Sequence, residues 1–206
     1  MNNKIITVNG REYALCHVFA QIKVKELIYR YRDTEKFIAY CKECNRYNAC
    51  HACPPFDFSA DEYLSPYQTA CIIGTKIFLD KEAINHYQGD SGTKISYEII
   101  GAVRKELDNT LLNLEKQYPE SKVFFAGTCH LCPTGKCAKT IGKPCISPER
   151  IRPSLEAFGF DVSRIAAELL NIEMQWSRNG MLPEYFTLVS GFFYANDTVD
   201  FIFPRC

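Results

Sequence analysis

The pentapeptide Cys-His-x-Cys-Pro occurs twice, as Cys50-His51-Ala52-Cys53-Pro54 and as Cys129-His130-Leu131-Cys132-Pro133. Cys41 and Cys44 precede the first copy; Cys137 and Cys145 follow the second. Eight of the eleven cysteines therefore fall into two quartets, C-x2-C-x5-C-x2-C and C-x2-C-x4-C-x7-C. Four thiolates are what a tetrahedral zinc ion or a four-iron cluster requires. A C-x2-C turn suits both, because its backbone folds into a knuckle that brings two sulfurs to one metal and points N–H groups at them. The site residues expected from spacing are thus Cys41, Cys44, Cys50, Cys53, Cys129, Cys132, Cys137 and Cys145.

Details of the quartets favour iron–sulfur chemistry over zinc. Proline follows Cys53 and Cys132 and precedes Cys145, as is frequent beside cluster ligands. No glycine follows a C-x2-C pair in either quartet, and the second quartet lacks the two-plus-two symmetry of a zinc ribbon. The expected cofactor is one or two [4Fe-4S] clusters, with zinc as the alternative. The quartets need not each close on themselves, since one centre could draw on both segments. His51 and His130 occupy matched places and are candidates for hydrogen bonding to cluster sulfur or for alternate ligation. Among the remaining cysteines, Cys71 reads as a core thiol. Cys16 is ambiguous, and the terminal Cys206 is a remote candidate ligand.

Lys136, Lys139, Lys143, Arg150 and Arg152 surround the second quartet, against Glu149 alone. They would compensate thiolate charge and lower the cysteine pKa values. They could also dock an acidic redox partner or an anionic substrate. Other templates fail. Thr134-Gly135-Lys136 lacks the upstream glycine of a P-loop, and Cys137 stands where its hydroxyl residue belongs. There is no G-x-G-x-x-G after a strand, no G-x-S-x-G and no haem-attachment motif.

Bulk properties bound the classes. The chain has 206 residues, 47% hydrophobic and 23% charged, enough for one domain with a sizeable core. Lys plus Arg and Asp plus Glu are both 24, so no global field favours nucleic acid or an anionic membrane. Neither a secretory signal nor an apolar run of about 20 residues is present, and the chain reads as cytoplasmic. In a reducing compartment clustered cysteines point to metal rather than to a disulfide framework.

The elements that must position these residues follow from periodicity. Residues 4–20 with Asn9-Gly10 suggest a hairpin. Lys23 to Phe37 reads as one amphipathic helix, and Pro54-Pro55 as an extended exit from the first quartet. Cys71 to Leu79 is a buried strand. Lys94 to Tyr118 is a helix, with Ile95, Ile99, Val103, Leu107, Leu111 and Leu114 on one face. Lys122 to Ala126 is a strand delivering the chain into the second quartet. Helices follow from Pro153, interrupted at Gly159, and from Asp161 to Ile172. Strands at Tyr185 to Tyr194 and Val199 to Phe203, joined by an Asn196-Asp197 turn, close the chain. The expected architecture is α/β (α+β): one domain over 1–206, a small mixed sheet with helices on one face, and cysteine-rich loops at 41–55 and 127–146.

Three stretches together resemble a family of uncharacterised, predicted metal-binding proteins (domain of unknown function 2284). The first runs from Cys41-x2-Cys44-x2-Tyr47 to Cys53-Pro54-Pro55. The second is Ala126-Gly127-Thr128-Cys129-x2-Cys132-x4-Cys137 with Pro144-Cys145. The third is Arg152-Pro153-Ser154-Leu155-Glu156-Ala157-Phe158-Gly159-Phe160-Asp161-Val162. The resemblance implies metal ligation by these cysteines and no particular reaction. Around Cys50 this chain departs from many relatives, which makes Cys50 the least secure ligand. Three functions stay open: electron transfer or small-molecule redox chemistry with a redox partner protein or a small-molecule substrate; a zinc-stabilised interaction module; and an enzyme whose cluster leaves one iron open, with Cys50 as the non-ligand.

Overall fold

A computed structural model describes residues 4–132 and 136–195. The expected strand at Val199 to Phe203, the Asn196-Asp197 turn, Pro133 to Gly135 and Cys206 lie outside them. The chain runs β1 (Lys4–Val8), β2 (Arg11–Lys23), α1 (Val24–Tyr31), α2 (Thr34–Lys42), α3 (Ala60–Leu64), β3 (Thr69–Phe78), α4 (Lys81–His86), α5 (Gly89–Gln117), β4 (Ser121–Phe124), α6 (Val162–Leu170) and β5 (Tyr185–Tyr194). No helix is long and apolar enough to cross a membrane.

The fold is α+β, built on a five-stranded sheet of order β1-β2-β3-β5-β4. All its strand pairs are antiparallel, where the sequence suggests a mixed sheet. β3 and β4 do point the same way, as the strand-helix-strand order requires. β5 inserts between them and runs opposite to both, so no parallel pair forms. Asn9 and Gly10, both at positive φ, make the β1–β2 turn as their residue types favour.

Helices cover both faces of the sheet rather than one. β3 is buried along nearly its whole length, so its alternate residues fill two cores. Cys71, Ile73 and Ile77 join Ile95, Ile99, Val103, Leu107 and Leu111 of α5. Ala70 and Ile72 face the other way, with Val24, Leu27 and Tyr31 of α1 and Val162, Ile165, Ala166 and Leu170 of α6. Each such fully buried aliphatic side chain stabilises by about 1.5–3 kcal/mol relative to exposure. A continuous apolar strand is the pattern of two-sided cover, and β3 has it.

The helix expected over 23–37 breaks at Arg32–Asp33. Long-range bonds cause the break: Asp33 N–H donates to the Gly159 carbonyl at 2.9 Å, and Asp161 N–H to the Tyr31 carbonyl at 2.8 Å. Arg32 Nε donates to the Phe158 carbonyl at 2.7 Å, and its guanidinium also meets Asp61. Gly159 permits this crossing, because φ is +86° and a Cβ would stand 2.9 Å from Thr34 Cα. Asp33 then caps α2 by accepting from Lys36 N–H, and α2 carries Cys41 in its last turn.

Candidate metal centre

The two cysteine segments meet at one end of the fold and are stapled to each other. His51 Nε2–H donates to the Lys143 carbonyl at 2.9 Å, and Lys139 Nζ to the Pro55 carbonyl at 3.2 Å. α5 supports the second segment from behind. Arg104 Nη2 donates to the Thr128 carbonyl at 2.5 Å, and Arg150 Nη2 to Asn109 at 3.0 Å. The first segment leaves along Pro54-Pro55, joined by a cis peptide bond, and is anchored by Phe56 packed on Phe58 and Phe158.

Main-chain amides are directed at sulfur in both segments. Arg46 N–H donates to Cys44 Sγ and Ser147 N–H to Cys145 Sγ, each at 3.5 Å. The amides of Ala52, Leu131 and Ala138 likewise serve Cys50, Cys129 and Cys132. In four of these five the donor is two residues beyond the cysteine, and two of the four, Cys50 and Cys129, open a C-x2-C pair. Such bonds favour a thiolate, the form a metal takes.

The grouping of sulfurs crosses the sequence quartets. Cys50, Cys53 and Cys137 are buried together, with Cys129 packed beside them. Cys50 Sγ is within hydrogen-bonding reach of both Cys129 and Cys53. Hydrogen bonds from Cys129 and then Cys53 pull the Cys50 thiol far down. The same bonds to Cys50, reinforced by burial, push Cys53 and Cys129 up.

Two cavities divide the remaining space. One, of about 100 Å³, is lined by Cys50, Cys129, Cys132 and Cys137 with His130 and Arg46. Cys132 has Cys137 and Cys145 as charge-coupled neighbours. The other, of about 280 Å³, is lined by Cys41, Cys44 and Cys53 and by Phe37, Tyr40, Tyr47 and Glu156. Cys50, the expected odd one out of the first quartet, is the sulfur that links the two groups. Cys71 is buried in the sheet core, and Cys16 on β2 is disulfide-bonded, so neither joins the cluster. Among the described residues, no three His, Cys, Asp or Glu side chains form a single-ion group.

Neither histidine's recorded bond goes to sulfur. His51 is spent on the Lys143 carbonyl, and His130 Nε2 stands 3.3 Å from Asp108 Oδ2 on α5. The basic residues divide as well. Lys139 and Arg150 hold neighbouring segments. Arg152 pairs with Glu115 through Nε at 2.8 Å and Nη2 at 2.6 Å. Burial alone would raise the Glu115 carboxyl; Arg152, the Val123 amide and Lys122 outweigh it and hold it below the usual carboxylate range.

Four residues around the site carry functions not read from sequence: Arg104, Asp108, Glu115 and Glu156. Arg104 and Asp108 are an i,i+4 pair on α5, which was a usable signal. Glu156 follows the second segment, brought back by pairing of Phe125 with Ser154 and a 3.0 Å bond from Phe125 N–H to the Pro153 carbonyl. The residue is half-buried as a whole, yet its Oε2 is shut off from solvent and accepts no hydrogen bond. Burial pushes its carboxyl well up, against smaller opposing effects from its own amide, Ser154 and Arg104.

No curated protein and no solved structure matches this chain. A family model described as predicted metal-binding protein (DUF2284) matches residues 21–190, which contain all eight clustered cysteines. The chain belongs to that family of predicted metal-binding proteins.

Proposed function

We propose that this chain is an iron–sulfur protein whose clustered thiolates hold [4Fe-4S] groups for electron transfer or small-molecule redox chemistry. The observation that carries the reading is the roughly 100 Å³ cavity walled by Cys50, Cys129, Cys132 and Cys137. One water requires only about 10–15 Å³ of such space. A zinc ion with sulfurs at about 2.3 Å leaves no comparable void between them. The donor set fits too: thiols served by main-chain amides, and no carboxylate lining this cavity among the described residues. On this reading Cys50, Cys129, Cys132 and Cys137 hold one group, with Cys145 at its edge, and Cys41, Cys44 and Cys53 hold a second. A bound cluster supplies one-electron chemistry. The protein's own part is to keep the sulfurs as thiolates, exclude bulk water around Cys50 and Cys53, and hold both segments rigid through His51 and Lys139.

Zinc has one observation in its favour. Cys50 reaches both Cys53 and Cys129, and such sulfur-to-sulfur approach suits a closed tetrahedral site. In that case the chain is a metal-folded interaction module. Anaerobic purification with iron, zinc and acid-labile sulfide analysis separates the two, read with the visible spectrum before and after dithionite. About four or eight irons with matching sulfide, and an absorption that bleaches, support the cluster reading. Stoichiometric zinc without sulfide or colour removes it.

A further inference from the structure

The two cysteine-lined cavities share one wall. Arg46 lines both, and among the described residues it is the only residue to do so and the only Lys or Arg lining either. The turn after α2 fixes its place. Arg46 N–H donates to Cys44 Sγ at 3.5 Å, Ala49 N–H to the Arg46 carbonyl at 3.1 Å, and Asn48 N–H to the Pro54 carbonyl at 2.8 Å. The chain thus passes from Cys41 and Cys44 on the larger cavity, through Arg46, to Cys50 on the smaller.

Sulfur crosses the same boundary. Cys50 of the smaller cavity is within hydrogen-bonding reach of Cys53 of the larger, and both belong to one buried cluster. The segments around them are stapled through His51 and Lys139, so the fold itself sets the separation of the two cavities. Thiolates outnumber the positive charges that a four-iron core returns, and a group in either cavity is therefore anionic. Two anionic groups side by side repel, and the repulsion grows when either gains an electron. Arg46 is half-buried and permanently charged, and it stands where one cation offsets both.

We infer that the two groups form one electronically coupled pair across the Cys50–Cys53 contact, with Arg46 as the positioning residue that raises the reduction potential of both. The inference rests on the iron–sulfur reading and deepens it, since the protein becomes a two-centre relay in place of two independent sites. Passing an electron through the pair oxidises one group by one electron and reduces its neighbour by one; no bond breaks and no proton moves. A one-electron carrier supplies the electron that enters. Net charge near a cluster is among the main determinants of its potential, and removing a cation disfavours the reduced form.

Electron paramagnetic resonance of anaerobically purified protein tests the pairing, with iron, zinc and sulfide quantified on the same samples. Dithionite is added stepwise, followed by photochemical reduction of any centre it leaves oxidised. The expected result is a simple signal in partly reduced protein that gives way to a split, broadened one when both groups are reduced. In redox titrations Arg46→Gln should lower both midpoint potentials at unchanged iron and sulfide, and Arg46→Lys, which keeps the charge, should stay close to wild type. A fully reduced spectrum that is the plain sum of two isolated centres overturns the pair. A potential shift confined to one group, absent from both, or shared in full by Arg46→Lys overturns the role of Arg46. If Arg46→Gln loses its clusters, the wild-type spectrum decides the pairing and Arg46→Lys the charge. A single iron–sulfur group per chain sinks the pair and leaves the iron–sulfur reading in place. Zinc without sulfide removes that reading, and the pair with it.

Discussion

Glu115 is where acid should first loosen the support of the metal end. Its two carboxylate oxygens accept from Arg152 Nη2 at 2.6 Å, Arg152 Nε at 2.8 Å, Lys122 Nζ at 2.9 Å and Val123 N–H at 2.9 Å. Both Glu115 and Arg152 side chains are only 11% exposed, so this is a buried pair rather than a surface ornament. Removing one partner of such a pair costs about 3–5 kcal/mol, since the other charge stays behind without compensation. Glu115→Gln keeps the shape and one acceptor oxygen, so the expected loss is about 3 kcal/mol. For a domain of this size that lowers the melting temperature by roughly 6–12 °C.

The loss must also depend on pH in one direction. The folded-state pKa of Glu115 lies below its unfolded value of about 4.3. Its contribution is therefore complete above that unfolded value and disappears as pH falls through the folded one. The difference between wild type and Glu115→Gln should be largest at pH 7 and shrink as pH falls below the unfolded value. The assay is anaerobic thermal unfolding of both proteins at matched metal content across that range; cysteine protonation affects both and cancels in the difference. A difference under about 1 kcal/mol at pH 7, or one that does not shrink in acid, refutes the reasoning.

Two further outcomes follow from single contacts. Cys50→Ser should lower the metal content of both groups, because Cys50 reaches Cys53 on one side and Cys129 on the other; exposed Cys44→Ser should lower only one. Full metal content in Cys50→Ser would show that spacing and packing have misassigned this sulfur. Gly92→Ala would place a Cβ 2.0 Å from the Gly180 carbonyl oxygen, a main-chain atom, so a loss of about 2–3 kcal/mol is expected in denaturant unfolding. Gly101→Ala on the same helix meets nothing within 4 Å and should gain up to about 1 kcal/mol; equal effects at both sites would contradict the packing of α5.

The sequence by itself determined whatever depends on near neighbours in the chain. The 3.6-residue apolar repeat from Ile95 to Leu111 could only be a helix with one buried face, and α5 follows it. The apolar run around Ile72 and Ile73 became the central strand, and Asn9-Gly10 the first turn. The C-x2-C pairs marked six candidate thiol donors, because a knuckle closes within a few residues.

Tertiary structure decided everything that depends on which distant segments meet. α1 and α2 part because Asp33 and Asp161 bond across to Gly159 and Tyr31, contacts absent from any local window. The sheet is antiparallel because β5, last among the described elements, enters between β3 and β4. Cys50 keeps Cys53 within reach and gains Cys129 because the fold packs the second segment against it. Glu156 lies on the cysteine pocket because Phe125 pairs with Ser154 and returns the chain. Spacing along a chain limits which sulfurs can share a turn; only packing brings sulfurs from separate segments within reach of one another.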